Sequence, residues 1–139
     1  MGNARYSFNL AASLLLMLPV LGCGRGSEIP KAVVYGTVSY DGQPISQGKI
    51  YFYPIDGTPG GVSGGPINEG KYEATGKGGV PVGRHRVQVQ GFRAPASLPD
   101  GEAGAPEQYV PEKYNRSSEL TFEVPSGQRR VEHNLALTP

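Results

Sequence analysis

Few side chains in this sequence are equipped for chemistry: one cysteine, two histidines, and carboxylates scattered along the chain. Cys23 is the only thiol, so no internal disulfide can form, and a cysteine nucleophile would have only this position to occupy. His85 and His133 each fall on the apolar side of an alternating segment. If they met, they would offer two imidazoles to a metal. Zinc wants four donors, or three and a water, so their pattern favours two hydrogen-bonded core histidines instead. Asp100, Glu102, Glu107 and Glu112 sit in one long irregular stretch. Calcium needs about six to eight oxygens from a tight loop such as D-x-D-x-D-G, and this spacing reads as a solvated loop. No serine is placed with a base and an orienting acid in a recognisable nucleophilic set. Tyr35, Tyr51 and Tyr53 alternate to the face opposite their apolar neighbours. They form a candidate binding patch, weighed against ordinary cross-strand packing of tyrosines. The expectation is therefore no catalytic residue, no metal and no cofactor.

Cys23 gains meaning from what precedes it. Residues 1–22 open with a short segment carrying Arg5, followed by an apolar run from Phe8 to Leu21 broken only by Asn9, Ser13 and Pro19. Such a run is shorter than the ~20 apolar residues that span a bilayer and fits the core of an export signal. A buried or free thiol is the alternative for a lone cysteine, and N-myristoylation at the Met-Gly start is set aside because Tyr6 stands where Ser or Thr is needed. Val20-Leu21-Gly22-Cys23 resembles the lipobox of bacterial lipoproteins. The resemblance implies diacylglycerol transfer to the Cys23 thiol, cleavage between Gly22 and Cys23, and a new amine open to acylation. Two or three chains on one residue anchor firmly, whereas a single chain binds reversibly. Gly24 follows in place of the Asp that retains some lipoproteins at the inner membrane. The expected location is the outer membrane or the periplasmic face of the cell envelope.

The remainder is one small domain with balanced charge. Without Arg5, the remaining Lys and Arg equal the 12 Asp and Glu, so the exported part is formally neutral. Neutrality gives no electrostatic case for nucleic acid. Residues 23–31 form the lipidated cysteine and a polar tether, and 32–139 form the domain. The 21 glycines and 13 prolines, about a quarter of the chain, fall between short alternating segments. That pattern predicts an all-β domain with many turns.

Strands are expected at 32–40, 49–53, 82–92, 120–124 and 130–137, and residues 67–75 read as a turn and a further strand with Tyr72 and Ala74 on one side. Asp41-Gly42-Gln43-Pro44 reads as a turn, with Asp-Gly as its hairpin signal. Residues 54–66, rich in glycine and proline, read as a loop. Residues 93–118 form a longer irregular segment whose second part carries Tyr109, Val110 and Tyr114, which are suited to packing on a sheet. About seven strands in two antiparallel sheets, packed face to face, would bury one side of each.

Three segments together are similar to a known family. Residues 36–44 follow the G-x-V-x-x-x-G-x-P opening of carboxypeptidase regulatory-like domains. Residues 80–89 follow their P-x-G-x-Y-x-V-x-V strand, with His85 in place of the tyrosine. Residues 110–114, with the strand at 120–124, resemble small bacterial lipoproteins built on that domain. The resemblance spans nearly all of 33–137. It implies a transthyretin-like, prealbumin-type β-sandwich and a module that is generally non-catalytic.

Three function classes follow. The first is a lipid-anchored envelope module that binds or scaffolds an envelope protein or glycan, held at the membrane through Cys23. The second is a hydrolase like the transthyretin-related 5-hydroxyisourate hydrolases. Those end in Tyr-Arg-Gly-Ser, whereas this chain ends in Leu-Ala-Leu-Thr-Pro, and Tyr114-Asn115-Arg116-Ser117 is only an echo of that tetrapeptide. The third is a carbohydrate-binding module using the Tyr35, Tyr51 and Tyr53 patch, in a chain without tryptophan.

Overall fold

A computed structural model describes residues 1–2, 28–94 and 104–139. Residues 3–27, with Gly22 and Cys23, and residues 95–103, with Asp100 and Glu102, lie outside the described residues. Eleven strands follow in chain order. They are β1 (Lys31–Tyr40), β2 (Gln43–Pro44), β3 (Gln47–Pro54), β4 (Ser63–Asn68), β5 (Lys71–Ala74), β6 (Val80–Pro81), β7 (Gly83–Arg93), β8 (Glu107–Gln108), β9 (Thr121–Val124), β10 (Arg130–Glu132) and β11 (Leu135–Leu137). Two short 3-10 turns, Gly76–Gly78 and Glu112–Tyr114, interrupt them.

The turns are made by residues that accept a left-handed backbone. Asp41 and Gly42 have φ of 49° and 73°, which joins β1 to β2 with Tyr40 opposite Gln43. Two successive positive φ values are what a two-residue hairpin of the right twist requires. Glu69 and Gly70, with φ of 47° and 75°, repeat the device between β4 and β5, where Asn68 faces Lys71.

Hydrogen bonding joins the strands into one curled sheet in the order β10-β1-β5-β4-β3-β7-β8. β2, β6 and β11 add to β1, and β9 adds to β7. Most pairings are antiparallel. β1 runs parallel to β10 and β11, with Val34 opposite Val131 and Val38 opposite Leu135, which corrects the purely antiparallel expectation. Parallel neighbours need a long crossover. Here the crossover is the whole chain between β1 and β10.

Two further expectations are corrected. β4 occupies the second part of the stretch read as a loop. Its Gly64, Gly65 and Pro66 resemble strand breakers by type, yet β4 pairs with β3 from Gln47–Asn68 to Phe52–Ser63. Glycine is needed for the close approach: a Cβ at Gly64 would collide with the Ile50 carbonyl, and one at Gly65 with the Glu73 carbonyl. The last strand is split, because His133 and Asn134 leave the ladder between β10 and β11. The His133 amide donates to the Tyr35 carbonyl at 2.8 Å. The Asn134 Oδ1 accepts from the Thr37 amide at 2.8 Å and from the Thr37 hydroxyl at 3.1 Å.

The inner face of the curl is the core. Val34 and Val38 of β1, Ile50 and Phe52 of β3, and Val87 and Val89 of β7 are fully buried there. Each burial of this kind contributes roughly 1.5–3 kcal/mol. The segment after β8 seals one end: Val110 is buried, and Tyr109 packs against the core. The buried Asn115 holds that segment by donating its Nδ2 to the Val110 and Pro111 carbonyls, at 3.0 and 3.2 Å. At the opposite seam, Phe122 of β9 stacks on His133 with ring centroids 3.9 Å apart. That contact brings the β7–β9 side of the sheet against the β10–β11 side.

Candidate functional site

The residues able to meet a ligand stand on the outer face, opposite the core. Alternation decides which they are: Ile50 and Phe52 point inward, so Lys49, Tyr51 and Tyr53 point outward. On β5, Tyr72 and Ala74 are buried, which leaves Lys71 and Glu73 outside. β4 lies between these strands and presents only Gly64, Pro66 and Asn68 outward, so the surface dips along it.

Tyr51 and Tyr53 stand together, with centroids 6.3 Å apart. The Arg86 guanidinium caps Tyr53 at 5.4 Å. Tyr35 is not part of that pair, because β5 and β4 separate β1 from β3. Its ring is capped by Arg130 at 4.7 Å, and Arg130 also forms an ion pair with Glu73 at 2.6 Å. The three tyrosines singled out from the sequence thus flank a depression and do not form one patch.

The depression has two lobes that share Pro66. One, of about 630 Å³, is lined by Tyr35, Lys71, Glu73, Arg130 and Glu132 among others. The other, of about 470 Å³, is lined by Lys49, Tyr51, Gly64 and Lys77 among others. Glu73 is neutralised by Arg130, and Glu132 accepts a hydrogen bond from Asn134 at 3.0 Å. Lys49, Lys71 and Lys77 form no ion pair among the described residues. Sequence reasoning passed over these lysines. The one available signal was the period-two register that places Lys49 beside Tyr51 and Lys71 beside Glu73.

The histidines lie on the other side of the sheet. His85 is fully buried, and its Nδ1–H donates to the Gly83 carbonyl at 3.0 Å. Its Nε2 is buried without a partner, as is that of His133. Burial pushes both imidazoles below their ordinary pKa, with the Gly83 bond partly opposing this for His85. Phe122 contacts both rings' surroundings, since it is the cross-strand partner of His85 and is stacked on His133. Among the described residues no three His, Cys, Asp or Glu side chains converge to hold a metal.

The remaining candidates have structural contacts. Glu107 pairs with Arg93 at 2.7 Å on the surface. Glu112 begins a 3-10 turn. The Tyr114 hydroxyl accepts from the Thr138 amide at 3.1 Å, which ties that turn to the last residues.

No family model matches the chain, and no curated protein matches it. Among solved structures it is similar to a 9R-lipoxygenase from Cyanothece, at 14% identity and a TM-score of 0.40. That similarity covers 78% of this chain and 16% of the lipoxygenase.

Proposed function

We propose that this chain is a lipid-anchored, non-catalytic β-module of the cell envelope that holds its outer sheet face out to a partner. The observation that carries this reading is the sequence Val20-Leu21-Gly22-Cys23 at the end of an apolar run, with β1 beginning at Lys31. Only residues 24–30 intervene, a reach of ~25 Å when extended, so an acylated Cys23 would keep the sheet close to its membrane. The family resemblance adds support. Residues 36–44 fall on β1, its Asp41-Gly42 turn and β2, and residues 80–89 fall on β6 and β7. On this reading the curled sheet is a transthyretin-like sandwich of the carboxypeptidase regulatory-like kind, its halves meeting at the Phe122–His133 seam.

The test is acylation. Cells fed a labelled fatty acid should label the wild-type protein at Cys23 and release it only with detergent. Cys23→Ala should lose the label and persist as an uncleaved precursor or a soluble form. Labelling, or membrane retention with normal cleavage, in Cys23→Ala would overturn the anchor. For the binding role, mild crosslinking in intact envelopes should trap the protein with a partner, and recovery of the protein alone would count against it.

A further inference from the structure

We propose that the depression along β4 is a binding site for an acidic polysaccharide, a carboxylate-bearing sugar chain of the envelope. The inference rests on reading the outer face as the binding surface. Three observations meet there. First, the floor is bare: Gly64 and Pro66 of β4 offer no long side chain, and the Gly64 backbone is too close to Ile50 to admit one. Second, aromatic rings stand on either side, Tyr51 on β3 and Tyr35 on β1, each lining one lobe. The C–H faces of a pyranose ring pack on such rings, and the tyrosine hydroxyls remain free to bond sugar hydroxyls. Third, the charge is unbalanced in one lobe: Lys49 and Lys77 line the Tyr51 lobe with no carboxylate, while Lys71 and Arg130 face Glu73 and Glu132 in the other. Glu73 is already taken by Arg130, and the three lysines have no carboxylate of their own among the described residues.

The geometry argues against other occupants. β4 is paired on one side to β3 and on the other to β5, so the site is a sheet face with no free edge for an extended peptide to join. The site lacks the large basic footprint of a nucleic-acid surface, and the chain as a whole carries a formal charge of only +1. A ribbon of sugar rings with a carboxylate at intervals matches a trough with a bare floor and a ring and a cation on either wall. Asn68 supplies a further polar group along the larger lobe.

The experiment is affinity electrophoresis and calorimetry of the full-length protein in detergent, with polygalacturonate as the acidic probe and dextran as the neutral one. Polygalacturonate should retard the protein and dextran should not, with the retardation weakening as salt is raised. Tyr51→Ala should weaken binding about five- to tenfold. Lys49→Ala and Lys71→Ala should each weaken it about threefold and flatten the salt dependence. Lys49→Arg should keep most of it, and Arg116→Ala, on an exposed turn elsewhere, should bind as wild type. Equal retardation by dextran, no retardation by either probe, or retardation unaffected by Tyr51→Ala, Lys49→Ala and Lys71→Ala would each overturn the proposal. Failure of the probe with Cys23 acylation intact removes this inference alone, whereas loss of acylation removes the anchored-module reading beneath it. Circular dichroism of each variant identifies any that fail to fold, and Lys49→Gln, which removes the charge and keeps most of the stem, then carries the charge arm.

Discussion

His85 and His133 show how a residue's surroundings decide its role. Both have the chemistry of a metal ligand or a general base. The structure gives His85 a backbone carbonyl and a burial site, and gives His133 a phenylalanine face. Desolvation lowers both pKa values, so the folded state holds them neutral while the unfolded chain titrates near the usual 6.5. The sign follows from proton linkage. Below about 6.5 the unfolded state binds more protons than the native state, so stability declines as pH falls through the unfolded value toward the lowered native ones. Thermal melts between pH 8 and pH 5 should show a melting temperature that is flat at the alkaline end and falls below about pH 6.5. His133→Phe, which keeps an aromatic ring against Phe122, should flatten that fall. A fall of the same size in the variant would show that His133 does not contribute to it. The apolar side of each histidine's segment was legible from alternation. The stack with Phe122 was not, because it joins side chains on strands that pair with different neighbours.

At the scale of elements, legibility followed side-chain alternation and failed where the backbone did the specifying. β1, β3 and β7 alternate cleanly, and the Asp41-Gly42 hairpin sits where its residue types place it. β4 has almost no side-chain pattern, because it is selected for small size between two crowded neighbours. The candidate site lies on that strand, which is why the tyrosines were visible in the sequence while the depression they flank was not. The break between β10 and β11 was equally hidden, since Val131, His133, Leu135 and Leu137 alternate as one strand would. Gly36 is the local counterpart of that break. A Cβ there would run into the His133 carbonyl and lie 2.7 Å from the Asn134 Oδ1. The same carbonyl accepts the Tyr72 hydroxyl at 2.6 Å. Gly36→Ala should therefore push the break away from β1 and weaken both contacts, at a cost of about 1–3 kcal/mol. Denaturant unfolding measures this, and an unchanged midpoint would mean that the break moves freely.

For the whole molecule, the decisive feature is how a single sheet closes on itself. Its middle is held by continuous backbone pairing from β1 through β5, β4 and β3 to β7. Its closure depends on side chains: Phe52 lies edge-on to Phe122 at 6.3 Å and Phe122 lies flat on His133 at 3.9 Å. The parallel strands β10 and β11 come last in chain order, yet they lie along β1, so the seam ties them to the first strand of the sheet. Phe122 is the ring that joins β9 to the β10–β11 side in this stack. Phe122→Ala removes it and leaves a gap that backbone pairing cannot close, because β9 pairs with β7 while β10 and β11 pair with β1. The expected loss is about 3 kcal/mol, at the lower end for a phenylalanine because the ring is only partly buried. The spatial signature is more telling than the size. Hydrogen exchange should speed up in β9 and in β11 together, while β3 and the middle of β7 keep their protection. Faster exchange confined to β9 would show that the two sides of the sheet are stabilised independently and that the stack merely touches them. Concerted opening of both would make the seam the element that turns a curled sheet into a closed domain. The outer face over β4, on the far side of the sheet, would then keep its shape even while the seam breathes.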